Sequence, residues 1–122
     1  MDAILIMLLL QLKHWYADFW SQSYQQTVAK GIYGNPVGFS HSLEHSVGTL
    51  IVLFVSSFFV TISIIGMLLL SIFDLILHYH IDYIKVRYGI KDHKTTRYWR
   101  EFGLDQLAHQ ITYLSIVLFL IT

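Results

Sequence analysis

Four pairs of histidine and aspartate side chains recur along the chain, each with a spacing of four residues. The pairs are His14 with Asp18, His41 with His45, His78 with Asp82, and Asp105 with His109. Residues four apart lie on the same face of an α-helix, one turn above the other. Each pair would therefore direct two potential metal ligands toward one point beside its helix.

The ligand types favour divalent metal ions. Five imidazoles and three carboxylates suit Zn, Mn or Fe, and the absence of cysteine disfavours Cu(I). Eight ligands exceed the need of one tetrahedral ion, but they match two ions about 3.5–4 Å apart that share a carboxylate or water. Two such ions would also offset most of the negative charge of Asp18, Asp82 and Asp105, with Glu44 and Asp74 nearby. We predict two divalent ions held by the eight paired residues.

The same residues have other interpretations. The four pairs could form a hydrogen-bonded polar layer that fixes the register of the helices, or a proton relay. Glu44 is a candidate catalytic proton shuttle or a solvated interfacial carboxylate. Asp74 could accept a hydrogen bond from the His78 imidazole or contact another helix. Lys85 could contact a phosphate or extend to the lipid headgroups.

The composition indicates an integral membrane protein with a single domain, residues 1–122. Hydrophobic residues make up 55% of the chain and charged residues 13%, whereas a soluble domain has about 25% charged residues. The formal net charge is zero, so membrane lipid is the expected partner and nucleic acid is not. A homo-oligomer is left open. The first three residues lack the features of a cleaved signal peptide, so we expect a retained helix there.

The apolar stretches predict an all-α fold, a four-helix transmembrane bundle with antiparallel up-down topology. The expected helices span about 3–22, 41–58, 62–88 and 97–121. One straight helix from His45 to His78 would separate these side chains by about 50 Å, more than the roughly 30 Å of the hydrocarbon core. A turn within 56–63, where the polar residues are Ser56, Ser57, Thr61 and Ser63, would instead bring all four pairs to one depth.

The basic residues predict the orientation in the inner, cytoplasmic membrane. All eight lie on the side of the paired ligands or in its loops: Lys13, Lys30, Lys85, Arg87, Lys91, Lys94, Arg97 and Arg100. Positively charged flanks stay in the cytoplasm. We therefore expect the polar site and the basic loops on the cytoplasmic side and both termini on the opposite side.

The paired residues occur within longer motifs that resemble a known family. The motifs are HWYADFWSQ from His14, HYHIDYIK from His78 and FGLDQLAH from Phe102. They resemble a family of small bacterial and phage membrane proteins of unknown function, with the pattern HxxxD, HxxxH, HxxxDxxK and DQxxH. The chain departs from it at Tyr79 and His80, where the family tends to have apolar residues. The resemblance implies a polytopic membrane protein with no established activity. A looser likeness links the chain to inner-membrane metal-dependent hydrolases.

Three functions are consistent with these features. The first is a hydrolase with two metal ions that acts on a lipid or lipid-linked phosphate near the cytoplasmic leaflet. The second is a subunit of a metal or proton transporter. The third is a phage-type membrane factor without enzymatic activity, in which the metal site stabilises a small bundle.

Overall fold

A computed structural model describes residues 2–122, and within this range the fold is entirely helical, without strands. This confirms the predicted all-α class. The helices are α1 (Asp2–Trp15), a π-helix (Tyr16–Ser21), α2 (Tyr24–Ala29), α3 (Pro36–Ser56), α4 (Ile64–Tyr88) and α5 (Thr96–Ile121).

The turn between α3 and α4 lies where the ligand spacing predicts it. α3 ends at Ser56 and α4 begins at Ile64, after Ser63, whose side chain accepts a hydrogen bond from the Gly66 amide as an N-cap. The two helices then run antiparallel, and the rings of His45 and His78 stack with their centroids 3.6 Å apart. The turn thus replaces the long separation of a straight helix with direct contact.

The N-terminal half differs from the expected single helix over about 3–22 and loop over 22–40. α1 widens into the π-helix after Trp15, and Gln22 is extended. The Ser23 side chain and Gln26 form a capping box that starts α2. α3 begins five residues earlier than expected, because the Asn35 side chain caps it and Pro36 occupies its first turn.

The interior has an apolar half and a polar half. The apolar core lies toward the α3–α4 turn and consists of Ile6, Leu10, Val52, Leu53, Met67, Leu70, Tyr113, Ile116 and Val117. The paired histidines and aspartates lie toward the other end, where the chain connects α2 to α3 and α4 to α5. The apolar half therefore holds the helices together and fixes the positions of the polar side chains.

Two helices, Ile64–Tyr88 and Thr96–Ile121, are long and apolar enough to cross a membrane. Only 22% and 33% of their most apolar windows are buried inside the protein. A core helix of a soluble protein would bury most of such a window. Large apolar side chains such as Ile65, Leu69 and Phe119 instead point outward, which suits contact with lipid.

Gly38 allows α2 and α3 to approach closely, and its replacement by alanine should lower stability. A Cβ atom at Gly38 would lie 2.7 Å from the carbonyl oxygen of Ala29 and 3.0 Å from the backbone nitrogen of Lys30. Because backbone atoms cannot move aside as a side chain can, we expect Gly38→Ala to reduce the free energy of unfolding by about 1–3 kcal/mol. Thermal unfolding in detergent measures this.

Gly103→Ala is the matched control within α5. No heavy atom lies within 4 Å of a Cβ atom placed there, so the alanine should stabilise the helix by about 0.5–1 kcal/mol. If Gly38→Ala unfolded at the wild-type temperature, the close packing of α2 on α3 would be contradicted.

Candidate metal centre

The four predicted pairs converge in the polar half of the bundle. His41, His45 and His78 are completely buried, and His109 is 1% exposed. The other four members are at least nine-tenths buried in their side chains: His14, Asp18, Asp82 and Asp105. Buried polar groups at this density need partners or a bound cation. The sequence spacing therefore identifies a real cluster.

The first group of potential ligands surrounds Asp18, which lies in the π-helix. Its Oδ1 atom lies 2.9 Å from His41 Nε2, 3.0 Å from His45 Nε2 and 3.9 Å from His78 Nε2. One ligand atom from each of these four residues lies within 4.8 Å of all the others. Three separate helical segments thus contribute to one potential metal site.

Two further groups adjoin the first and share residues with each other. One consists of His14, His78 and His109, and the other of Asp82, Asp105 and His109. His109 Nε2 lies 3.4 Å from Asp82 Oδ1 and 3.6 Å from Asp105 Oδ1. Asp82 also approaches His78, with 3.2 Å between Oδ2 and Nε2. The three groups therefore form one continuous centre.

The distances fit ligand atoms around a metal ion. In a tetrahedral site with bonds of about 2.0–2.1 Å, neighbouring ligand atoms are about 3.3 Å apart. The contacts around His78 and His109 bracket this value at 3.2–3.6 Å. The contacts of Asp18 with His41 and His45 are shorter, at 2.9 and 3.0 Å, and have the length of hydrogen bonds. Among residues 2–122, His109 Nε2 and Asp105 Oδ1 are buried yet have no hydrogen-bond partner. Both atoms have the chemistry of a metal ligand, and they lie 3.6 Å from each other.

The sequence comparison gives the family of the chain. Residues 4–122 match a family described as a protein of unknown function (DUF3307). The chain belongs to this family. No curated protein and no solved structure matches the chain at significant similarity. The resemblance to a family of unknown function is therefore confirmed, while the looser likeness to metal-dependent hydrolases stays a prediction.

Neighbouring side chains hold the imidazoles in place. Tyr113 is completely buried, and its hydroxyl lies 2.9 Å from His14 Nδ1. Gln106 Oε1 lies 3.1 Å from the other ring nitrogen of His14. Gln22, which follows the π-helix, contacts His41 with 3.0 Å between Nε2 atoms. Such contacts fix ring orientation, as they do around known metal sites.

Three lysines also belong to the centre, and the spacing pattern does not identify them as a set. Lys30 Nζ lies 2.8 Å from Asp82 Oδ2 and 4.0 Å from Asp18 Oδ1. Lys85 Nζ lies 3.4 Å from Asp105 Oδ2. The third, Lys13, lies in α1 just after the apolar stretch of residues 3–10. A lysine in such a helix is itself a signal of an internal partner.

Lys13 and Asp74 form a buried ion pair on the apolar side of the centre. The Nζ–Oδ2 distance is 2.9 Å, and their side chains are 8% and 1% exposed. Lys13 also donates to the backbone carbonyl of His45, and Thr49 donates to the same Asp74 oxygen. Of the two interpretations of Asp74, contact with other helices is the one observed.

The lysines change the charge argument for two metal ions. The ammonium groups of Lys13, Lys30 and Lys85 lie opposite Asp74, Asp82 and Asp105 respectively. The remaining carboxylate, Asp18, is 4.0 Å from the Lys30 ammonium and is otherwise surrounded by imidazoles. Charge balance therefore does not require two divalent ions, and the number of ions stays a prediction.

Glu44, the predicted proton shuttle, lies outside these groups. It is exposed on α3 and accepts a hydrogen bond of 2.8 Å from Gln26 Nε2. The two histidines without a predicted site role, His80 and His93, are also exposed. A catalytic role of Glu44 stays a prediction.

Proposed function

We propose that this chain is an integral protein of the inner membrane that binds divalent metal ions in the His/Asp centre and uses them to hydrolyse a lipid or lipid-linked phosphate. One observation carries the proposal. Buried imidazole and carboxylate ligands from separate helices adjoin in three groups that share His78 and His109. Hydrogen bonds join Asp18 to His41 and His45, but within residues 2–122 the buried His109 Nε2 and Asp105 Oδ1 atoms have no hydrogen-bond partner.

The proposal places the bundle across the membrane with the Asp82 side of the centre toward the cytoplasmic headgroups. From His45 to the end of α3 at Ser56, the helix rises by about 16 Å. That distance covers about half of the roughly 30 Å hydrocarbon core, so His45 would lie near the middle of the bilayer. From Ile64 to Asp82, α4 rises by about 27 Å, which would bring the Asp82 side of the centre close to the cytoplasmic edge of the core. The basic residues lie at the opposite end of α3 and α4 from the turn, so they would face the cytoplasm. A phosphate group of a lipid would then lie closest to the Asp82 side of the centre.

The residues of the chain have distinct roles in this reaction. Divalent ions bound by the imidazoles and carboxylates would activate water and stabilise negative charge on a phosphoryl oxygen. Lys85 is the cation of the centre with the most exposed side chain, at 29%, and it can bind the phosphate before reaction. Tyr113 and Gln106 contact opposite nitrogens of the His14 ring, so His14 would bind an ion only in exchange for one of these hydrogen bonds.

His78→Ala tests the proposal because His78 belongs to two of the three ligand groups. We expect the purified variant to lose bound metal and to hydrolyse phospholipid at least about 100-fold more slowly. Even the loss of a residue that only contacts a metal ligand typically lowers metal affinity or activity by about 10–100-fold. Elemental analysis of detergent-purified protein measures the metal, and phosphate release from mixed micelles measures the reaction.

His80→Ala is the matched control, because His80 is an exposed imidazole on the same helix. It should keep the wild-type metal content and rate. Equal metal content in wild type and His78→Ala would overturn the metal centre. A metal-loaded wild-type protein that hydrolyses no phospholipid would overturn the hydrolase, and metal uptake into proteoliposomes would then identify a transporter.

A further inference from the structure

A groove between α4 and α5 leads from the outer surface of the bundle to the metal centre. It encloses about 460 Å³, and Asp105 lies in its wall. Asp105 is also a member of the third ligand group, with its Oδ1 atom unpartnered. The groove therefore reaches Asp105 from the lipid-facing surface, and the Oδ1 atom of this residue lies buried behind the groove wall.

The lining of the groove changes from apolar to charged along the helices. Toward the membrane interior, the lining residues are Ile81, Ile84, Leu104 and Ala108. Toward the α4–α5 connection, the lining includes Lys85, Arg97 and Glu101. A phospholipid in the cytoplasmic leaflet has the same polarity, with acyl chains toward the centre of the bilayer and a phosphate at its surface.

The chain segment that borders this end of the groove is basic, although the charged residues of the lining itself, Lys85, Arg97, Glu101 and Asp105, balance one another. From Lys85 to Glu101 the chain carries six basic residues and two acidic ones, although its overall net charge is zero. Lys85 pairs with Asp105 at 3.4 Å and Arg97 with Glu101 at 2.7 Å, but their side chains are 29% and 69% exposed, so both can also reach a ligand in the groove. Clusters of basic residues beside a membrane helix are typical of sites for anionic lipid.

A second groove lacks this combination. It lies between α1 and α3, encloses about 730 Å³ and has Val47 and Ile51 in its wall. Its one basic lining residue is Lys13, whose side chain is 8% exposed and paired with Asp74. The α1–α3 groove is therefore larger but offers no exposed cation for a lipid phosphate. The α4–α5 groove offers two, Lys85 and Arg97, and is the better candidate for lipid binding.

We propose that the α4–α5 groove binds one anionic phospholipid of the cytoplasmic leaflet. Lys85 and Arg97 contact its phosphate, and an acyl chain lies along Ile84 and Leu104. Binding of the lipid depends only on the groove. Its delivery to Asp105 for hydrolysis rests on the proposed function.

Two variants test the groove by native mass spectrometry of detergent-purified protein with phosphatidylglycerol or phosphatidylcholine. Arg97→Glu reverses a charge in the groove, and Ala108→Trp fills its apolar part. We expect wild type to retain phosphatidylglycerol in preference to phosphatidylcholine. Because a basic residue at a membrane surface contributes about 1 kcal/mol and the change reverses the charge, Arg97→Glu should reduce retention about tenfold or more.

Each variant has a matched control. Arg100→Glu makes the same charge change on the same helix outside the groove lining, and Val47→Trp adds the same side chain to the α1–α3 groove. Val47→Trp should retain the lipid as wild type does, and Arg100→Glu, which changes a basic residue outside the lining, should lose much less lipid than Arg97→Glu. The unfolding temperature of every variant is measured, and a second pair of variants, Leu104→Glu and Leu107→Glu, replaces any tryptophan variant that unfolds.

The outcomes separate the groove from the proposed reaction. Equal losses in Arg97→Glu and Arg100→Glu, equal retention of the two lipids, or full displacement by inorganic phosphate would each overturn lipid binding by this groove. The measurement is repeated after metal removal with a chelator. Selective lipid binding that persists without metal supports the groove as a lipid site, even if the metal-loaded protein hydrolyses nothing. If Arg97→Glu and Ala108→Trp still hydrolyse lipid at the wild-type rate, delivery of the substrate through the groove would be refuted.

Discussion

Asp18→Asn should weaken metal binding strongly while leaving the bundle folded. Its Oδ1 atom contacts the Nε2 atoms of His41 and His45 at 2.9 and 3.0 Å, and its Oδ2 atom lies 3.2 Å from His14 Nε2. The amide has the same shape but lacks the negative charge, and an amide nitrogen is not a metal ligand. We expect metal affinity to fall by about 100-fold or more, beyond the 10–100-fold of an outer contact.

Competition with a chromophoric chelator measures this affinity in detergent, and helical circular dichroism reports the fold. Glu44→Gln is the matched control, since it makes the same chemical change on an exposed carboxylate outside the ligand groups. Its metal affinity should equal that of wild type. Should Asp18→Asn bind metal as tightly as wild type, Asp18 would be a hydrogen-bond acceptor of the imidazoles and the first ligand group would be wrong.

The convergence of the four pairs is predictable from the sequence because it depends on helical periodicity. Two groups four residues apart on a helix must share a face. A centre that collects all four pairs then requires a reversal between His45 and His78. The polar residues of this segment are weak evidence for a turn by themselves, but the required reversal makes a turn there the expected structure. The chain does reverse between α3 and α4, at the segment with Ser56, Ser57, Thr61 and Ser63.

The lysines of the centre illustrate what periodicity cannot predict. Lys30 reaches Asp82 from the end of α2, a helix of six residues that begins at a capping box. Its position depends on how α2 packs against α3, where Gly38 permits close contact. Contacts of this kind link residues far apart in the chain, and a spacing rule within one helix carries no information on them.

The π-helix is a second feature that the spacing of apolar residues does not predict. An apolar pattern does not distinguish an α-helix from one that widens for a single turn, although such turns occur often at functional sites. The widening begins at Tyr16 and therefore falls between His14 and Asp18. The pair remains in contact all the same, at 3.2 Å between His14 Nε2 and Asp18 Oδ2.

The ion pair between Lys13 and Asp74 should dominate the response of the fold to mutation. Lys13→Met removes the ammonium and leaves a carboxylate that is 1% exposed without its cation. Removing one partner of a buried pair typically lowers stability by about 3–5 kcal/mol, because the other charge stays in a medium of low polarity. We expect a loss of this size in the free energy of unfolding, measured by denaturant titration in detergent.

The double variant Lys13→Met with Asp74→Asn separates the cost of a lone charge from the value of the pair. Asparagine keeps an oxygen for the Thr49 hydroxyl but carries no charge, so the double variant should recover most of the lost stability. Arg97→Met, which breaks an exposed pair with Glu101, should leave the unfolding midpoint unchanged. A double variant as unstable as Lys13→Met would mean that the Lys13 side chain matters for packing or for the contact with His45, and that charge compensation of Asp74 is not its main role.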